Sequence, residues 1–440
     1  MSFYLSSRPT NARNALLKYK KNEAHTPLEK QDGILLNSDW LIIISRVALY
    51  LRPASRKSPA VLPQPTAAAC LNKFTRDGKL GRADQCSAVR PHLDYPKSGD
   101  DAIPSQQSRP WQSRAEGPGR PGDGCQRPQI ASRKFSKVAN PAIYTAKLPL
   151  PGAPGKDMEL AYLDNQNTSG SPTLLLLHGL FDHKGTWSSL CPHLDRHFRL
   201  LAPDLIGFGH SSKPLLDHLP VSYRYSPPMH AEYLCRFILQ QGLDDVILVG
   251  NSLGGGIALY MALQFPQLQR RTRGLVLIDA AGYPQQLPGH IRELGGWLGT
   301  LMNNPFFHWL AFRSGLVSMV VQKTFERAFY DRGLITPELK NSTLEILKSS
   351  NIFYAYKTAA QNILPAGHPE VVKKFSQITC PTLLIWGRED RIIPVLSALR
   401  FKEDIPHANL HIIEQCGHSP QLEHPAQVAR LIATWAEDNL

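Results

Sequence analysis

Residues 246–256 read Val-Ile-Leu-Val-Gly-Asn-Ser-Leu-Gly-Gly-Gly, and this stretch predicts a strand, a tight turn and a helix in succession. The four apolar residues at 246–249 are typical of a strand buried in a parallel sheet. Gly250 and Gly254 flank Ser252 in the pattern Gly-x-Ser-x-Gly, and a helical run follows at 257–265. A serine on such a strained turn needs neighbours without side chains, because strand and helix crowd it from both sides. We therefore interpret Ser252 as the candidate nucleophile; an incidental serine in a glycine-rich turn is the alternative.

Charge is distributed unevenly along the 440 residues, a length that suits one large domain with additions or two domains. Residues 1–140 hold 23 Lys and Arg against 11 Asp and Glu, which accounts for +12 of the net charge of +13. Binding to nucleic acid or to an anionic membrane is therefore conceivable for this segment only, and we predict no nucleic-acid partner for the remainder.

The cysteines favour a reducing compartment. Their number is seven, which is odd, and none form a Cys-x-x-Cys pair. Buried free thiols are expected at the positions in apolar or ordinary contexts, which are Cys191, Cys235, Cys380 and Cys416. Together with the lack of a clear signal peptide, this predicts a cytoplasmic protein.

Residues 1–140 are predicted to be a disordered basic extension, because proline, serine, arginine and glutamine are frequent and apolar periodicity is scarce. The apolar stretch at 40–51 is too short, and with Arg46 too charged, to span a bilayer, so no transmembrane segment is expected.

From residue 141 onward the pattern predicts an α/β fold with a mostly parallel central sheet and helices on both faces. Apolar runs predict strands that alternate with helical segments; the expected strands are 158–163, 173–177, 198–202, 246–249, 274–279, 381–386 and 409–413. Expected helices in this part include 187–194, 229–241 and 425–440. The predicted core occupies residues 141–283 and 367–440.

A helical cap is predicted between the two parts of the core, at residues 284–366. About a hundred residues separate Asp279 from Pro381, far more than one crossover helix needs. Helical patterns occur at 291–302, 305–330, 337–349 and 351–364, and Thr336-Pro337 suggests a helix start.

A serine hydroxyl needs a general base within hydrogen-bonding reach, and the base needs a carboxylate to orient it. His418 and Asp390 are the candidates, since each follows the end of a predicted strand and the order Ser, Asp, His suits this fold. Asp279, which also ends a strand, is the stronger rival for the carboxylate, and Glu389 is another.

The tetrahedral intermediate needs backbone donors for its oxyanion. We expect the N–H of Leu253, the residue after the nucleophile, and a second N–H from the loop after His178-Gly179. Leu180 is the preferred residue for that second N–H and Phe181 the alternative. His178 itself is interpreted as a residue that holds the loop by hydrogen bonds.

The chain from about residue 146 to 440 resembles the α/β-hydrolase superfamily. The pieces that carry the resemblance are Leu-His178-Gly-Leu-Phe, Pro-Asp204-Leu-Ile-Gly-Phe-Gly, Gly-Asn-Ser252-Leu-Gly-Gly, Leu-Ile-Asp279-Ala-Ala-Gly, Trp-Gly-Arg-Glu-Asp390 and Cys-Gly-His418-Ser-Pro. The most similar branch contains bacterial lipases, carboxylesterases and monoacylglycerol lipases with a helical cap. The resemblance implies a serine hydrolase that cleaves carboxylic esters through an acyl-enzyme.

Two other functions remain open at this point. Meta-cleavage carbon–carbon hydrolases share Gly-Asn-Ser-x-Gly-Gly, but they typically carry Ser-Gly after His-Gly and Trp after the histidine, where this chain has Leu180-Phe181 and Ser419. A catalytically silent hydrolase fold used for binding is the third possibility. No cofactor and no metal are expected, since His193 and His197 lack an obvious third ligand.

The substrate is predicted to be a small ester with an apolar, short to medium acyl chain. Large apolar side chains are frequent in the predicted cap, and we expect an apolar wall from Phe181, Trp297, Phe306 and Phe307.

Overall fold

The computed structural model describes residues 142–167, 170–284, 289–364 and 368–440. The extension predicted for residues 1–140 lies outside these ranges. Eight strands form one sheet: β1 (Ala142–Pro149), β2 (Asp157–Asp164), β3 (Thr173–Leu177), β4 (Arg199–Pro203), β5 (Val246–Asn251), β6 (Thr272–Ile278), β7 (Thr382–Gly387) and β8 (Asn409–Ile413).

The sheet is mostly parallel, with the strand order β1-β2-β4-β3-β5-β6-β7-β8. Only the pairs β1–β2 and β2–β4 are antiparallel. Every residue of β3, β5 and β7 is buried, which explains their unbroken apolar runs. β5, which leads to Ser252, lies between β3 and β6, so the carboxyl ends of three central strands meet at this residue.

Helices cover both faces of the sheet, as the sequence predicted. Those around the core are α1 (Cys191–Leu194), α2 (Pro227–Gln240), α3 (Leu253–Gln264), α4 (Pro266–Gln269), α11 (His368–Val372), α12 (Leu396–Asp404), α13 (Pro420–Glu423) and α14 (Pro425–Asn439). Successive residues of β5 enter different clusters: Leu248 packs in the cluster that contains Ile257 of α3, and Val249 packs in the cluster that contains Ile432 of α14. The fold class is therefore confirmed.

Between β6 and α11 the described structure has six helices, and we call this part the helical segment: α5 (Gly289–Gly295), α6 (Trp297–Met302), α7 (Pro305–Arg313), α8 (Leu316–Ala328), α9 (Pro337–Leu347) and α10 (Ile352–Gln361). The hydroxyl of Thr336 accepts from the N–H of Leu339 at 3.2 Å and caps α9. The patterns at 291–302 and 305–330 each predicted one helix, but both are broken. Gly296 separates α5 from α6, and Gly315, in the left-handed region at φ 77°, separates α7 from α8.

Several elements differ from the sequence predictions, and the short helices α4, α11 and α13 are among those that were not predicted. The strand β1 and the helix α12 were not predicted, and the helix expected at 187–194 is a 3₁₀ turn at Lys184–Trp187 followed by α1. β1 is an edge strand with most of its side chains exposed, so its sequence lacks the apolar run of a central strand. Cys191, Cys235, Cys380 and Cys416 carry no disulfide. Within the described residues, no helix combines the length and the apolar character that a bilayer crossing requires.

Candidate active site

Ser252 occupies a sharp turn between β5 and α3. Its backbone has φ 55° and ψ −117°, a strained conformation for a residue with a side chain. Gly250 and Gly254 make the turn possible: a Cβ on Gly250 would lie 2.4 Å from the backbone of Gly254, and one on Gly254 would lie 2.1 Å from the carbonyl oxygen of Leu177. The strand–turn–helix context predicted for Ser252 is therefore present.

Substituting Gly254→Ala should destabilise the fold, because rigid backbone atoms of β3 stand where the methyl group would go. We expect a loss of about 2–3 kcal/mol or more in the free energy of unfolding, measured by urea denaturation. Gly289→Ala is the matched control, since nothing lies within 4 Å of a Cβ there. Equal effects of the two substitutions would contradict this account of the turn.

His418 and Asp390 form a direct hydrogen bond in the described structure. His418 Nδ1 lies 2.7 Å from Asp390 Oδ2, and both side chains are buried. The other oxygen of Asp390 accepts from the N–H groups of Ile392 at 2.7 Å and Ile393 at 2.9 Å, which fixes the carboxylate. Because Nδ1 is occupied by this contact, Nε2 is the nitrogen of His418 that remains for proton transfer.

Asn251 connects the histidine to the serine. Its side-chain amide donates to the carbonyl oxygen of His418 at 3.2 Å and to that of Ile278 at 3.2 Å. Asn251 directly precedes Ser252, so the loop that carries His418 is fastened beside the turn. Among the described residues, no hydrogen bond joins Ser252 Oγ to His418.

Asp279 lies beside this pair but has different partners. One of its oxygens accepts from the N–H of Gly387 at 2.9 Å, and the other has no donor among the described residues. Complete burial and the nearby negative charge of Asp390 raise the pKa of Asp279 well above its ordinary value. Burial thus favours the neutral form of Asp279, and His418 is hydrogen-bonded to Asp390 and not to Asp279.

Ligand atoms of Asp279, Asp390 and His418 all lie within 4.8 Å of one another, close enough in principle to share a metal ion. The hydrogen bond between His418 and Asp390 already uses one atom of each. A metal ion would have to break this bond, so the arrangement fits proton transfer better than metal binding.

The loop after β3 approaches the serine closely. A Cβ on Gly179 would lie 3.3 Å from the Cβ of Ser252, so only glycine allows this approach without displacement. Phe181 has φ 63°, a second strained residue at the site. In the described part of the chain, no turn or loop hydrogen bond to a backbone carbonyl uses the N–H group of Leu180 or of Leu253. Leu253 is the first residue of α3, where backbone N–H groups have no acceptor within the helix.

His178 holds this loop, as interpreted from the sequence. Its Nε2 accepts from the N–H of Leu205 at 2.9 Å, so Nδ1 carries the proton and donates to the carbonyl of Gly179 at 2.8 Å. Burial lowers the pKa of His178 to about 4, which keeps the ring neutral. A buried ion pair supports the same loop: Lys184 Nζ lies 2.5 Å from Asp204 Oδ2.

The four predicted substrate-binding residues occupy different surroundings. Phe181 is half-buried and its ring lies 4.8 Å from that of Tyr356. Trp297, Phe306 and Phe307 are 59%, 53% and 37% exposed, and such exposure gives no support for an enclosed pocket wall. A described groove of about 300 Å³ among Pro305, His308, Trp309, Phe312 and Lys348 contains none of the candidate catalytic residues.

Tyr356 is a residue that sequence reasoning missed. It is buried and contacts Phe208, with ring centroids 5.3 Å apart, as well as Phe181. The spacing of the buried residues of α10, which are Ile352, Phe353, Ala355, Tyr356 and Ala359, is helical and could have identified it.

Residues 172–425 match the model of the alpha/beta hydrolase fold family, and the chain belongs to this family. A curated relative, 2-hydroxy-6-oxo-2,4-heptadienoate hydrolase of Pseudomonas putida, is 28% identical over 274 residues, which cover 60% of this chain and 88% of the relative. Lipase 1 of Psychrobacter immobilis is 28% identical over 271 residues, covering 60% of this chain and 76% of the lipase. Relatives of both classes are hydrolases, which supports an enzyme.

Solved structures lead to the same fold. A bacterial membrane phospholipase A superimposes with a TM-score of 0.51 and 26% identity, covering 67% of this chain and 86% of that one. The 2-hydroxy-6-oxo-6-phenylhexa-2,4-dienoate hydrolase of Rhodococcus superimposes with a TM-score of 0.54 and 22% identity, covering 68% of this chain and all of that one. The second likeness concerns the fold alone.

Proposed function

We propose that this protein is a serine hydrolase that cleaves carboxylic esters with apolar, short to medium acyl chains through an acyl-enzyme. The observation that carries the proposal is the strained turn at Ser252 beside the hydrogen-bonded pair His418 and Asp390. A nucleophile, a base and a carboxylate in this relation are what acyl transfer requires.

In the proposed reaction, Ser252 Oγ attacks the ester carbonyl while His418 Nε2 takes its proton. Asp390 stabilises the imidazolium that forms and holds the tautomer with the proton on Nδ1. The protonated His418 then gives the proton to the leaving alcohol, which breaks the C–O bond and leaves the acyl group on Ser252. Water, activated by His418, hydrolyses the acyl-enzyme in the second half of the cycle.

The negative charge on the carbonyl oxygen needs donors that are already in place. We assign this role to the N–H groups of Leu253 and Leu180, with Phe181 as the alternative to Leu180. The close approach of Gly179 to Ser252 supports the assignment, because it brings the loop after β3 to the side of the nucleophile. The N-terminus of α3 adds its positive dipole end at the same place.

The acyl chain is proposed to pack on Phe181, which borders the site and whose ring contacts that of Tyr356. Each buried methylene stabilises the transition state by up to about 0.8 kcal/mol, roughly fourfold in kcat/KM. Activity on p-nitrophenyl esters should therefore rise from acetate towards medium chains until the pocket is full. Phe181→Ala should flatten this rise, and Phe307→Ala, at an exposed position, is the matched comparison.

A strict preference for acetate would contradict the apolar acyl site. If Phe307→Ala flattens the chain-length series as much as Phe181→Ala does, the exposed aromatic residues of the helical segment belong to the site after all. The series is measured as kcat/KM for esters of two to ten carbons under one set of conditions.

Carbon–carbon bond hydrolysis is the second candidate, because several relatives are named for that reaction. A substrate of that class carries a carboxylate and needs a cationic partner. Lys184, the buried lysine next to the site loop, is already paired with Asp204. Faster turnover of a ring-fission dienoate than of every simple ester would favour this alternative.

A fluorophosphonate probe separates an enzyme from a silent binding protein, since it labels only an activated serine. We expect labelling of the wild type and none of Ser252→Ala. An unlabelled but folded wild type would overturn the proposed function.

A further inference from the structure

Glu423, the last residue of α13, accepts hydrogen bonds from two distant parts of the chain. One oxygen accepts from the N–H of Gly417 at 2.8 Å, and the other accepts from the N–H groups of Tyr330 at 2.7 Å and Asp331 at 3.1 Å. Gly417 directly precedes His418, and Tyr330 follows the end of α8 in the helical segment. The carboxylate is buried, and hydrogen bonds to an ionised acceptor are stronger than those between neutral groups.

The same two parts of the chain also touch directly. The N–H of His418 donates to the carbonyl oxygen of Ala328, the last residue of α8, at 2.6 Å. A Cβ on Gly417 would lie 2.2 Å from that oxygen and 2.8 Å from the nitrogen of Tyr330. The backbone before His418 is therefore pressed against the end of α8.

The opposite side of His418 is held by the nucleophile strand, because its carbonyl oxygen accepts from the amide of Asn251. The backbone of His418 is thus fixed between two supports. One support belongs to the core next to Ser252, and the other belongs to the helical segment.

We infer that Glu423 is a positioning residue that fastens the His418 loop to the end of α8, so that the distance from the imidazole to Ser252 depends on how the helical segment is seated. This inference rests on the proposed function, and it adds that the helical segment influences the position of the general base His418. Loss of the link should lower the rate of the chemical step and leave ester binding nearly unchanged.

Glu423→Gln tests the link with little change in volume. An amide has one accepting oxygen, so its NH₂ group would face either Gly417 or the pair Tyr330 and Asp331, donor against donor. We expect kcat for p-nitrophenyl butyrate to fall by about 10- to 100-fold, as for other small misplacements of a catalytic group. KM should stay within about threefold, and the circular dichroism spectrum should be unchanged.

Two further variants make the experiment decisive. Gly417→Ala pushes the same backbones apart and should give a similar loss of kcat, and the double variant should lose little more, because both act on one link. Glu423→Asp keeps the charge on a shorter arm and should retain an intermediate kcat, which also covers the case that Glu423→Gln fails to fold. Glu437→Gln, an exposed position on α14, is the control and should stay within about twofold.

The outcomes separate this inference from the proposed function. A wild type without esterase activity or fluorophosphonate labelling would refute the proposed function. An active wild type with kcat of Glu423→Gln and Glu423→Asp within about threefold of it would refute the link. A loss of kcat that merely follows the folded fraction, or fully additive effects in the double variant, would overturn it as well.

Discussion

Ser252→Ala should lose about 10⁴-fold or more in kcat for ester hydrolysis, the size of effect seen when a triad nucleophile is removed. The reason is chemical: without the hydroxyl no acyl-enzyme can form, and only positioning and the oxyanion donors remain. The fold should be intact, because the hydroxyl donates no hydrogen bond within the described structure and alanine tolerates the same backbone no worse. Steady-state kinetics on p-nitrophenyl butyrate measure the loss.

Thermal denaturation provides the control for this variant, and its midpoint should lie within a few degrees of the wild type. Activity within tenfold of the wild type would refute Ser252 as the nucleophile. Total loss of folded protein would instead show that the side chain has a structural role at the turn.

Asp390→Asn should lower kcat by about 10⁴-fold, as expected when the carboxylate partner of a catalytic histidine becomes an amide. An amide at this position cannot stabilise the imidazolium, and its NH₂ group favours the wrong tautomer of His418. Asp279→Asn should cost less than about tenfold, because the raised pKa of Asp279 favours the neutral form of the native group, and an amide is also neutral. The two variants make the same substitution at two members of one buried cluster, so each is a control for the other.

The reverse order of damage would assign the carboxylate role to Asp279. The pH dependence of stability offers an independent check on the charge of Asp279. Its folded pKa is raised, so its contribution to stability is fully present below the unfolded pKa and is lost as pH rises through the folded pKa. Urea denaturation should therefore show Asp279→Asn gaining on the wild type as pH increases, and a constant difference would contradict a neutral Asp279.

The strands β2 to β8 and the turn at Ser252 could be predicted from the sequence alone. Unbroken apolar runs mark strands buried on both faces, and β3 and β8 begin and end where the sequence predicted. The glycines at 250 and 254 predicted the turn at Ser252, since only residues without side chains tolerate the contacts found there. These are local properties, and local properties are what periodicity and glycine spacing report.

Which side chains meet at the site depends on the tertiary structure. Asp279 and Asp390 both follow the end of a strand, and nothing local indicates that His418 bonds to Asp390 or that burial raises the pKa of Asp279. The exposure of Trp297 and Phe306 could not be predicted from composition. Whether an apolar side chain lines a pocket or faces solvent depends on which residues pack against it. Glu423 was missed for the same reason: its partners Gly417 and Tyr330 are 87 residues apart in the chain, and only the packing of α8 against the His418 loop brings them to one carboxylate.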